Sequence, residues 1–544
     1  MAQAAYKRAL AVSPSFPAAL LNLAFQSYHS GEPADAARLS RRAAAAGAAP
    51  GIAMLIEAHS AQLLGQAERA RRGYAAALAF NPSECLAWQG LGSLLLAQTQ
   101  TGHAQTSFAR AVAVQPADAT GLANLAEADR RGRTFGRAAR FSRRALSLAP
   151  DSIVARNALA LTCADTARDV EALVSAQRAV ALDGRRPDLL VNLGVALKTL
   201  GRFEAAERAI RLGLAARPHD PDFHMSLATA LLAMGRIEDG LAEYEWRHAS
   251  RPSRYDVFRA PRWDGRRLED GRLLVWGEQG VGDEILFAQY LKDALTLAPQ
   301  IIVECDPRLV SIFKRSFPAI AFVPRTSSPD PQLFDRRIVA QVALGSIPHA
   351  LGFALQDLRS KGPYLVPDPG RAEAMAKRLA GIEGLKVGIA WRSRDMESAV
   401  SKRLHATLAD ITPVLRTTGA RAINIQYGDL GCSLREFNAA HPDHPIIAFD
   451  DLDLMNDLEG VLALGSQLDL VISTATSAYC LPAATGTETW LLLARISYLS
   501  FGQSDGLCCP RSRGFIRDPG QSWAGPVEQV VEALDRRLRL AGST

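Results

Sequence analysis

A glycine-rich turn with one aspartate, at 280–283, joins a predicted strand at 273–277 to a predicted helix at 284–297. Gly280 and Gly282 allow a tight turn and a close backbone approach by a ligand, and the amino end of a helix favours an anion. Asp283 is placed either to cap the helix or to act as a general base that deprotonates an acceptor hydroxyl. Its spacing alone favours the capping role.

Basic residues form a second candidate site after the strand predicted at 386–391. Arg392 follows this strand directly, and Lys402 and Arg403 come shortly after it. A leaving group that carries phosphate develops negative charge, which Lys or Arg at a strand end stabilises without a metal. Charges on a solvated loop would explain the same residues, so both interpretations stay open.

Hydroxyl side chains form a third candidate site, between an apolar strand predicted at 468–474 and a helix predicted at 477–485. Hydroxyls and backbone N–H groups at a helix start make a cradle for an anion. The candidate phosphate-binding residues are Thr474, Thr476 and Ser477.

Polar residues also end the strand predicted at 420–427. Gln426 and Tyr427 suit recognition of a base or ribose, although a simple turn would use the same residue types. Asp450, Asp451 and Asp457 could coordinate a metal, but their spacing does not require one, and most such residues cap helices. We therefore expect no metal and no bound cofactor.

Short strands alternate with helices throughout the second half of the chain. This alternation predicts parallel sheets covered on both faces, in two Rossmann-like halves at 272–366 and 371–544. A Pro/Gly-rich linker at 362–370 separates the halves, and ligands of such sheets bind beyond the carboxyl ends of the strands. The other predicted strands are 301–305, 321–324, 338–342, 446–449 and 489–494, and the other predicted helices are 307–316, 408–417, 458–466 and 523–541.

The first half of the chain is built on a 34-residue repeat. Prolines at 82, 116, 150, 218 and 252 follow this period, with Gly184 in the vacant position. Small residues recur twelve positions before each stop, at Ala70, Ala104, Ala138, Ala172, Ala206 and Gly240. The period predicts a solenoid of helix pairs over 1–252, followed by a connector at 253–271. Residues 4–14 match the second helix of a pair, which indicates a divergent cap or a start inside a longer array.

Three segments carry a resemblance to known proteins: the connector sequence RWDG at 262–265, LVWGEQGVGDEILFAQY at 274–290, and the LDLVIS strand with its following helix. They resemble the bacterial tetratricopeptide-repeat glycosyltransferases, whose catalytic half is similar to the heptosyltransferase family, a type B fold of two Rossmann-like domains. The resemblance implies that Asp283 is the catalytic base and that Lys402 or Arg403 lies near the donor phosphates. It favours the catalytic role of Asp283 over the capping role.

One departure from the resembling family concerns its D-T-x-x-x-H segment, whose Asp and His face the donor. Ala475 and Cys480 stand at those positions here, which implies either another donor or reduced catalysis. O-GlcNAc transferases share the general plan and line their groove with Asn residues that grip a peptide. Asn22, Asn124 and Asn192 occupy the corresponding positions, although Gly90, Ala158 and Ser226 interrupt the series.

Composition limits the possible function classes. The repeats to residue 252 hold 29 Lys and Arg against 22 Asp and Glu, while the remainder holds 33 against 34. The basic excess therefore belongs to the repeats, where an acidic protein partner explains it better than nucleic acid, because no interleaved aromatic residues accompany it. The chain shows no long apolar run, no leader and no C-x-x-C pair among its seven cysteines, which is typical of the cytoplasm. The adjacent Cys508 and Cys509 lack the loop of a redox motif.

The leading hypothesis is a cytoplasmic, metal-independent glycosyltransferase that docks a protein acceptor on its repeats and uses a nucleotide-activated sugar. The resembling proteins suggest flagellin as the acceptor and a CMP- or UDP-linked donor. The alternative is a catalytically degenerate scaffold that binds a protein partner. A third hypothesis, assembly of lipopolysaccharide core, conflicts with the long repeat arm, because a lipid acceptor does not need one.

Overall fold

The computed structural model describes residues 2–249, 254–358, 362–393, 399–428, 430–495, 500–505 and 511–541. Pro252, the domain boundary predicted at 252–253 and the Cys508-Cys509 pair lie outside these residues. Two compact units, 1–192 and 193–544, make up the chain.

Helices in pairs occupy the first half of the chain. After the initial helix, the first members of the pairs begin 34 residues apart from residue 85 onward, as the proline spacing predicts. The helices are α1 (Ala2–Val12), α2 (Pro17–His29), α3 (Pro33–Ala45), α4 (Pro50–Leu63), α5 (Ala67–Phe80), α6 (Cys85–Ala97), α7 (Thr101–Val114), α8 (Ala119–Arg131), α9 (Phe135–Leu148), α10 (Ile153–Asp165), α11 (Asp169–Leu182), α12 (Pro187–Thr199), α13 (Phe203–Ala216), α14 (Pro221–Ala233) and α15 (Ile237–Tyr244).

Small residues let the helices of the first unit pack closely. Ala70, Ala104 and Ala138, predicted from their spacing, are all fully buried. Gly90 of α6 lies against Tyr74 of α5, where an added Cβ would overlap the tyrosine ring. The sequence repeat is therefore a repeat of helix–helix contacts, which bury surface that one pair alone would expose.

The last helix pair packs on the sheets that follow it. Leu232 of α14 and Ile237 and Leu241 of α15 are buried in one core with Leu273 and Val275 of the first strand. A short 3₁₀ turn at Glu245–His248 follows α15. In this unit the end of the repeats and the first sheet share a hydrophobic core.

The first sheet contains four parallel strands in the order β3-β2-β1-β4. In the connector before it, Trp263 is buried and its backbone N–H donates to the carbonyl of Gln341 in β4, 2.8 Å away. The elements are β1 (Arg272–Trp276), α16 (Val281–Ala288), α17 (Leu291–Leu297), β2 (Ile301–Cys305), α18 (Val310–Ser316), β3 (Ala321–Pro324), β4 (Ile338–Ala343), α19 (Ile347–Ala350) and α20 (Leu355–Leu358).

The second sheet contains five parallel strands in the order β6-β5-β7-β8-β9. Its elements are α21 (Pro369–Leu379), β5 (Leu385–Ala390), α22 (Ala399–Leu404), α23 (Leu408–Leu415), β6 (Ala420–Asn424), α24 (Gly431–Ala440), α25 (Leu458–Gly465), β7 (Leu470–Thr474), α26 (Ser477–Ala484), β8 (Thr489–Leu493), β9 (Ser512–Ile516) and α27 (Ala524–Ala541).

Strand order reverses once in each sheet. The chain leaves β1 toward β2 and β3 and then returns to place β4 on the other side of β1, and in the second sheet β6 and β7 flank β5 in the same way. Crevices at such reversal points, beyond the carboxyl ends of the strands, are the usual ligand sites of open parallel sheets. The loops that follow β1, β5 and β7 meet this condition.

Two predicted elements are wrong in detail. Residues 446–449 do not form a strand: Ile447 makes an isolated bridge to Ile423, and the side-chain amide of Asn438 bonds both the N–H and the carbonyl of Ile446. The helix predicted over 284–297 is divided into α16 and α17. At the break, the buried Tyr290 donates its hydroxyl to the carbonyl of Leu358 at 3.0 Å.

The predicted linker at 362–370 is only partly a linker. Its end forms the first turn of α21, with Pro369 at the first helical position and the Asp368 side chain capping it. Earlier in the segment, the backbone N–H groups of Tyr364 and Leu365 donate to the carbonyl of Ala484. The sequence did not predict α24, β9 or the helices α19, α20, α21 and α22.

The contact at Gly90 gives a stability test. We expect Gly90→Ala to lower the unfolding free energy by about 1–3 kcal/mol, because the new methyl group overlaps Tyr74. Gly136→Ala is the matched control: Gly136 lies in α9 with open space around it, so its alanine leaves stability unchanged or raises it by up to about 1 kcal/mol. Denaturant unfolding and hydrogen exchange in α5 and α6 measure the difference, and equal effects would contradict the packing argument.

Candidate functional site

A cavity of about 360 Å³ lies where the carboxyl ends of strands from both sheets converge. It receives the loop after β1, the loop after β7 and residues that follow β5 and β6. The described residues that line it are Gly280, Val281, Gly282, Asp283, Leu286, Ser393, Tyr427, Ala475, Thr476, Ser477, Tyr479, Cys480, Leu491, Leu493, Ser500 and Ser512. Six of the predicted site residues thus meet in one place, and among these lining residues Asp283 alone is a carboxylate or a base.

Asp283 lies in the first turn of α16 and lines the cavity. Its Oδ2 accepts a hydrogen bond from the Gly280 N–H at 3.2 Å, so it caps the helix as one of the two interpretations predicts. Burial raises the pKa of Asp283; the hydrogen bond from Gly280 opposes this rise, and the negative charge of Glu278 adds to it. A carboxylate with a raised pKa is a stronger proton acceptor, so capping and general-base roles are compatible here.

The amino end of α26 faces the same cavity. Thr476 is the N-cap residue of α26, and its buried Oγ1 has no hydrogen-bond partner among the described residues. Ser477 lies so close to α16 that a Cβ on Gly282 would come within 3.3 Å of the serine Cβ. The unpartnered hydroxyl and the N–H groups of this helix end can accept an anion.

Gln426 and Tyr427 differ in their surroundings. Tyr427 lines the cavity, whereas the Gln426 side chain is buried and its Oε1 accepts from the N–H groups of Trp391 and Arg392, at 3.0 and 2.8 Å. Its Nε2 donates to the carbonyl of Tyr427 at 2.9 Å. Gln426 therefore ties the ends of β5 and β6 together beside the cavity, and it also lines a neighbouring cavity with Asn424.

The other predicted donor-binding residues do not line this cavity in the described part of the chain. Thr474 is buried, with its hydroxyl 3.2 Å from Nδ1 of His405. Lys402 is exposed on α22, and the carbonyl of Arg403 accepts from Arg517 at 2.5 Å. Arg392 follows β5 and is half-buried.

Ala475 and Cys480, the two departures from the resembling family, both line the cavity. Ala475 is exposed, and the buried Cys480 thiol donates to the carbonyl of Thr476 at 3.7 Å. The cavity lining is therefore uncharged at both positions.

The sequence did not predict the surroundings of two charged groups, Glu284 and Lys198. Glu284 is fully buried beside Arg325, 2.6 Å away, and burial raises the pKa of Glu284 to about 7. Lys198 of α12 donates to Thr229 at 2.5 Å, and burial, with the charge of Arg495, lowers its pKa to about 8. Sequence spacing carries no signal of either environment, because the partners lie far apart in the chain.

The asparagines predicted to bind a peptide lie on the first helices of their pairs. Asn22 is exposed and donates to the carbonyl of Ala18 in its own helix at 2.9 Å. Asn124 is half-buried, and Asn192 donates to the Oδ1 of Asn157 at 2.8 Å. The sequence series missed Asn157 because it stands one position away from the expected residue, Ala158.

The predicted alternatives for the acidic residues are resolved in part. Asp457 caps α25 and pairs with Arg371, and Asp451 pairs with Arg378. Within the described residues, no group of three or more His, Cys, Asp or Glu side chains is arranged to hold a metal ion. No helix in the described ranges is long and apolar enough to cross a membrane.

Comparisons with known proteins identify the repeats and one relative of nearly full length. The tetratricopeptide-repeat family matches residues 187–220 and 17–42, so the chain carries tetratricopeptide repeats. Protein FlbA of Caulobacter vibrioides is 28% identical over 507 residues, which cover 89% of this chain and 84% of that protein.

Solved structures match over smaller parts. The Cut9–Hcn1 tetramer of APC/C matches with a TM-score of 0.40 and 17% identity, covering 46% of this chain and 49% of that chain, so the match spans about half of that chain's length. YrrB, described as a tetratricopeptide-repeat protein with an unusual peptide-binding site, matches with a TM-score of 0.26 and 20% identity over 31% of this chain and 87% of that chain.

The raised pKa of Asp283 predicts a pH-dependent stability difference. A carboxyl whose pKa is higher in the folded state contributes stability below its unfolded pKa and loses it as the pH rises through the folded pKa. Asp283→Asn cannot ionise and its amide oxygen can still accept from Gly280, so the variant should gain stability relative to wild type from pH 4 to pH 8. Melting temperatures across this range measure the effect; a constant difference would contradict it.

Proposed function

We propose that this protein is a glycosyltransferase that transfers a sugar from a nucleotide-activated donor to a protein held by its repeats. One observation carries the proposal: a carboxylate from the first sheet, Asp283, and a helix amino end from the second, at Thr476 and Ser477, face one cavity. When the leaving group departs as an anion, group transfer needs a base that accepts the proton of the acceptor hydroxyl. It also needs a separate site that binds the departing anion.

In the proposed reaction, Asp283 accepts the proton of an acceptor hydroxyl while the hydroxyl oxygen forms a bond to the anomeric carbon of the donor. The bond from that carbon to the donor phosphate breaks, and its electron pair leaves with the nucleotide. The N–H groups of α26 and the unpartnered hydroxyl of Thr476 stabilise the phosphate. Tyr427 lies where its ring can contact the nucleotide.

The repeats are the proposed docking surface for the acceptor. Tetratricopeptide repeats stack into extended surfaces that suit an unfolded peptide or loop. Asn124 and Asn192 offer amides that can both donate to and accept from a peptide backbone. A flagellin-like acceptor and a CMP- or UDP-linked donor remain the specific suggestions, and a cytoplasmic location follows from them.

Asp283→Asn tests the catalytic assignment. Because loss of a general base commonly costs about 10²–10⁴-fold in rate, we expect transfer to fall by that factor in the variant while folding is retained. Candidate acceptors come from mass spectrometry of proteins in cells with and without the gene. Transfer is then measured with CMP- and UDP-sugars by nucleotide release and acceptor mass.

The matched control is Asp410→Asn. Asp410 occupies the equivalent capping position of α23, where its Oδ2 accepts from the Thr407 N–H at 2.8 Å, but it does not line the cavity. Asp410→Asn should transfer at the wild-type rate. Full activity in Asp283→Asn would reduce Asp283 to a cap.

A degenerate scaffold is the second candidate function, favoured by the uncharged wall at Ala475 and Cys480. If these residues fit another donor, the wild type transfers some activated sugar, and Ala475→Asp with Cys480→His impairs it by adding charge and bulk to the cavity. If they reflect decay, the wild type is inert with every donor yet still binds its protein partner. Melting temperatures must match before lost activity is interpreted.

A further inference from the structure

The loop that carries Asp283 is held from outside the first sheet. Residues 277–280 connect β1 to α16, and Gly280 donates its N–H to Asp283 in the first turn of that helix. Gln279 has a φ of 61°, a left-handed conformation that is uncommon for a residue with a side chain. A loop with such a conformation persists only where its surroundings fix it.

Arg247 of the 3₁₀ turn after α15 pairs with Glu278 in this loop. Its Nε and one terminal nitrogen donate to the two carboxylate oxygens of Glu278, at 3.0 and 2.6 Å. The same terminal nitrogen donates to Ser346, 2.6 Å away, and the other donates to Glu245 at 2.9 Å. Arg247 and Glu278 are both mostly buried, so this bidentate pair is firmly placed.

Tyr244, the last residue of α15, contacts Gln279, the residue after Glu278 in the loop. Its hydroxyl is hydrogen-bonded to the side-chain amide of Gln279. The guanidinium of Arg247 lies over the Tyr244 ring, 4.2 Å from its centre, so the two residues support one another. Both belong to the end of the repeat region, more than thirty residues before the loop.

We propose that Tyr244 and Arg247 are positioning residues, which fix the Asp283 loop and keep the charge of Glu278 neutralised beside Asp283. The catalytic part of this inference rests on the proposed function; the structural part does not. The end of the repeat region thus supports, from outside the cavity, the loop that leads into α16.

The proposal predicts what happens to Asp283 when Arg247 is lost. Glu278 would then place an unpaired negative charge near Asp283, which favours the protonated carboxyl. The other ionisable groups around Asp283 are Tyr244, Tyr427 and, on α26, Tyr479 and Cys480. None of these four is altered in the variants used for the titration.

The test is a titration of the full-length protein labelled with ¹³C in the aspartate carboxyl groups, with the Asp283 signal assigned by its loss in Asp283→Asn. In Arg247→Met the midpoint of Asp283 should rise by about half a pH unit or more. In Arg247→Met with Glu278→Gln it should return to or below the wild-type value. If Arg247→Met does not fold, Glu278→Gln alone replaces it in the test, and in that variant the titration midpoint of Asp283 should fall.

Arg254→Met is the matched control. Arg254 forms a comparable pair with the buried Glu304 of β2, at 2.5 Å, but neither residue lines the Asp283 cavity. This variant should lose stability without moving the Asp283 midpoint. An unchanged midpoint in Arg247→Met, or an equal shift in Arg254→Met, would overturn the proposal.

Transfer assays separate this inference from the proposed function. If the wild type transfers sugar, Tyr244→Phe should lower kcat several-fold with little change in the donor KM, because only the hydroxyl that holds Gln279 is removed. An unchanged kcat would overturn the positioning role. If the wild type transfers nothing, the function fails, and with it the catalytic part of the inference, whereas the titration still decides the charge relation between Arg247, Glu278 and Asp283.

Discussion

The contact between α16 and α26 is the constraint on which the site depends. Gly282 has no side chain, so the first turn of α16 can lie directly against Ser477. Because each helix begins just beyond a strand at the reversal point of its own sheet, this contact brings two helix amino ends to one cavity. A larger residue at 282 would separate the carboxylate of one sheet from the anion-accepting end of the other.

The last helix pair of the repeat region belongs to the same core as the first sheet. The last helix pair shares a core with the strands of the first sheet through Leu232, Ile237 and Leu241. Without the first sheet, this helix pair would expose apolar surface to water. The sequence places the domain boundary where the 34-residue period ends. The division of the chain into compact units instead falls within α12. The two boundaries differ because the sequence period reflects contacts between neighbouring helices, whereas a compact unit is defined by its buried core.

Much of the fold could be predicted from the sequence, because strands such as 301–305 are continuous apolar runs and the repeat period is explicit. The cavity wall at Asp283, Thr476 and Ser477 was also predictable, since strand–loop–helix junctions have recognisable composition. The roles of Gln426 and Arg247 were not. Both residues act through partners that only tertiary packing brings close. Gln426 bridges two strand ends, and Arg247 forms an ion pair with a residue 31 positions away.

The charge distribution of the cavity limits its chemistry further. Asp283 is its one acidic lining residue among those described, and Ala475 and Cys480 are uncharged lining residues. An anionic ligand would therefore be held by helix N–H groups and the hydroxyl of Thr476 rather than by lining cations of the described wall. Such a site stabilises an anion weakly while it is open to water and more strongly once a bound acceptor excludes water, because the same dipoles act in a lower dielectric.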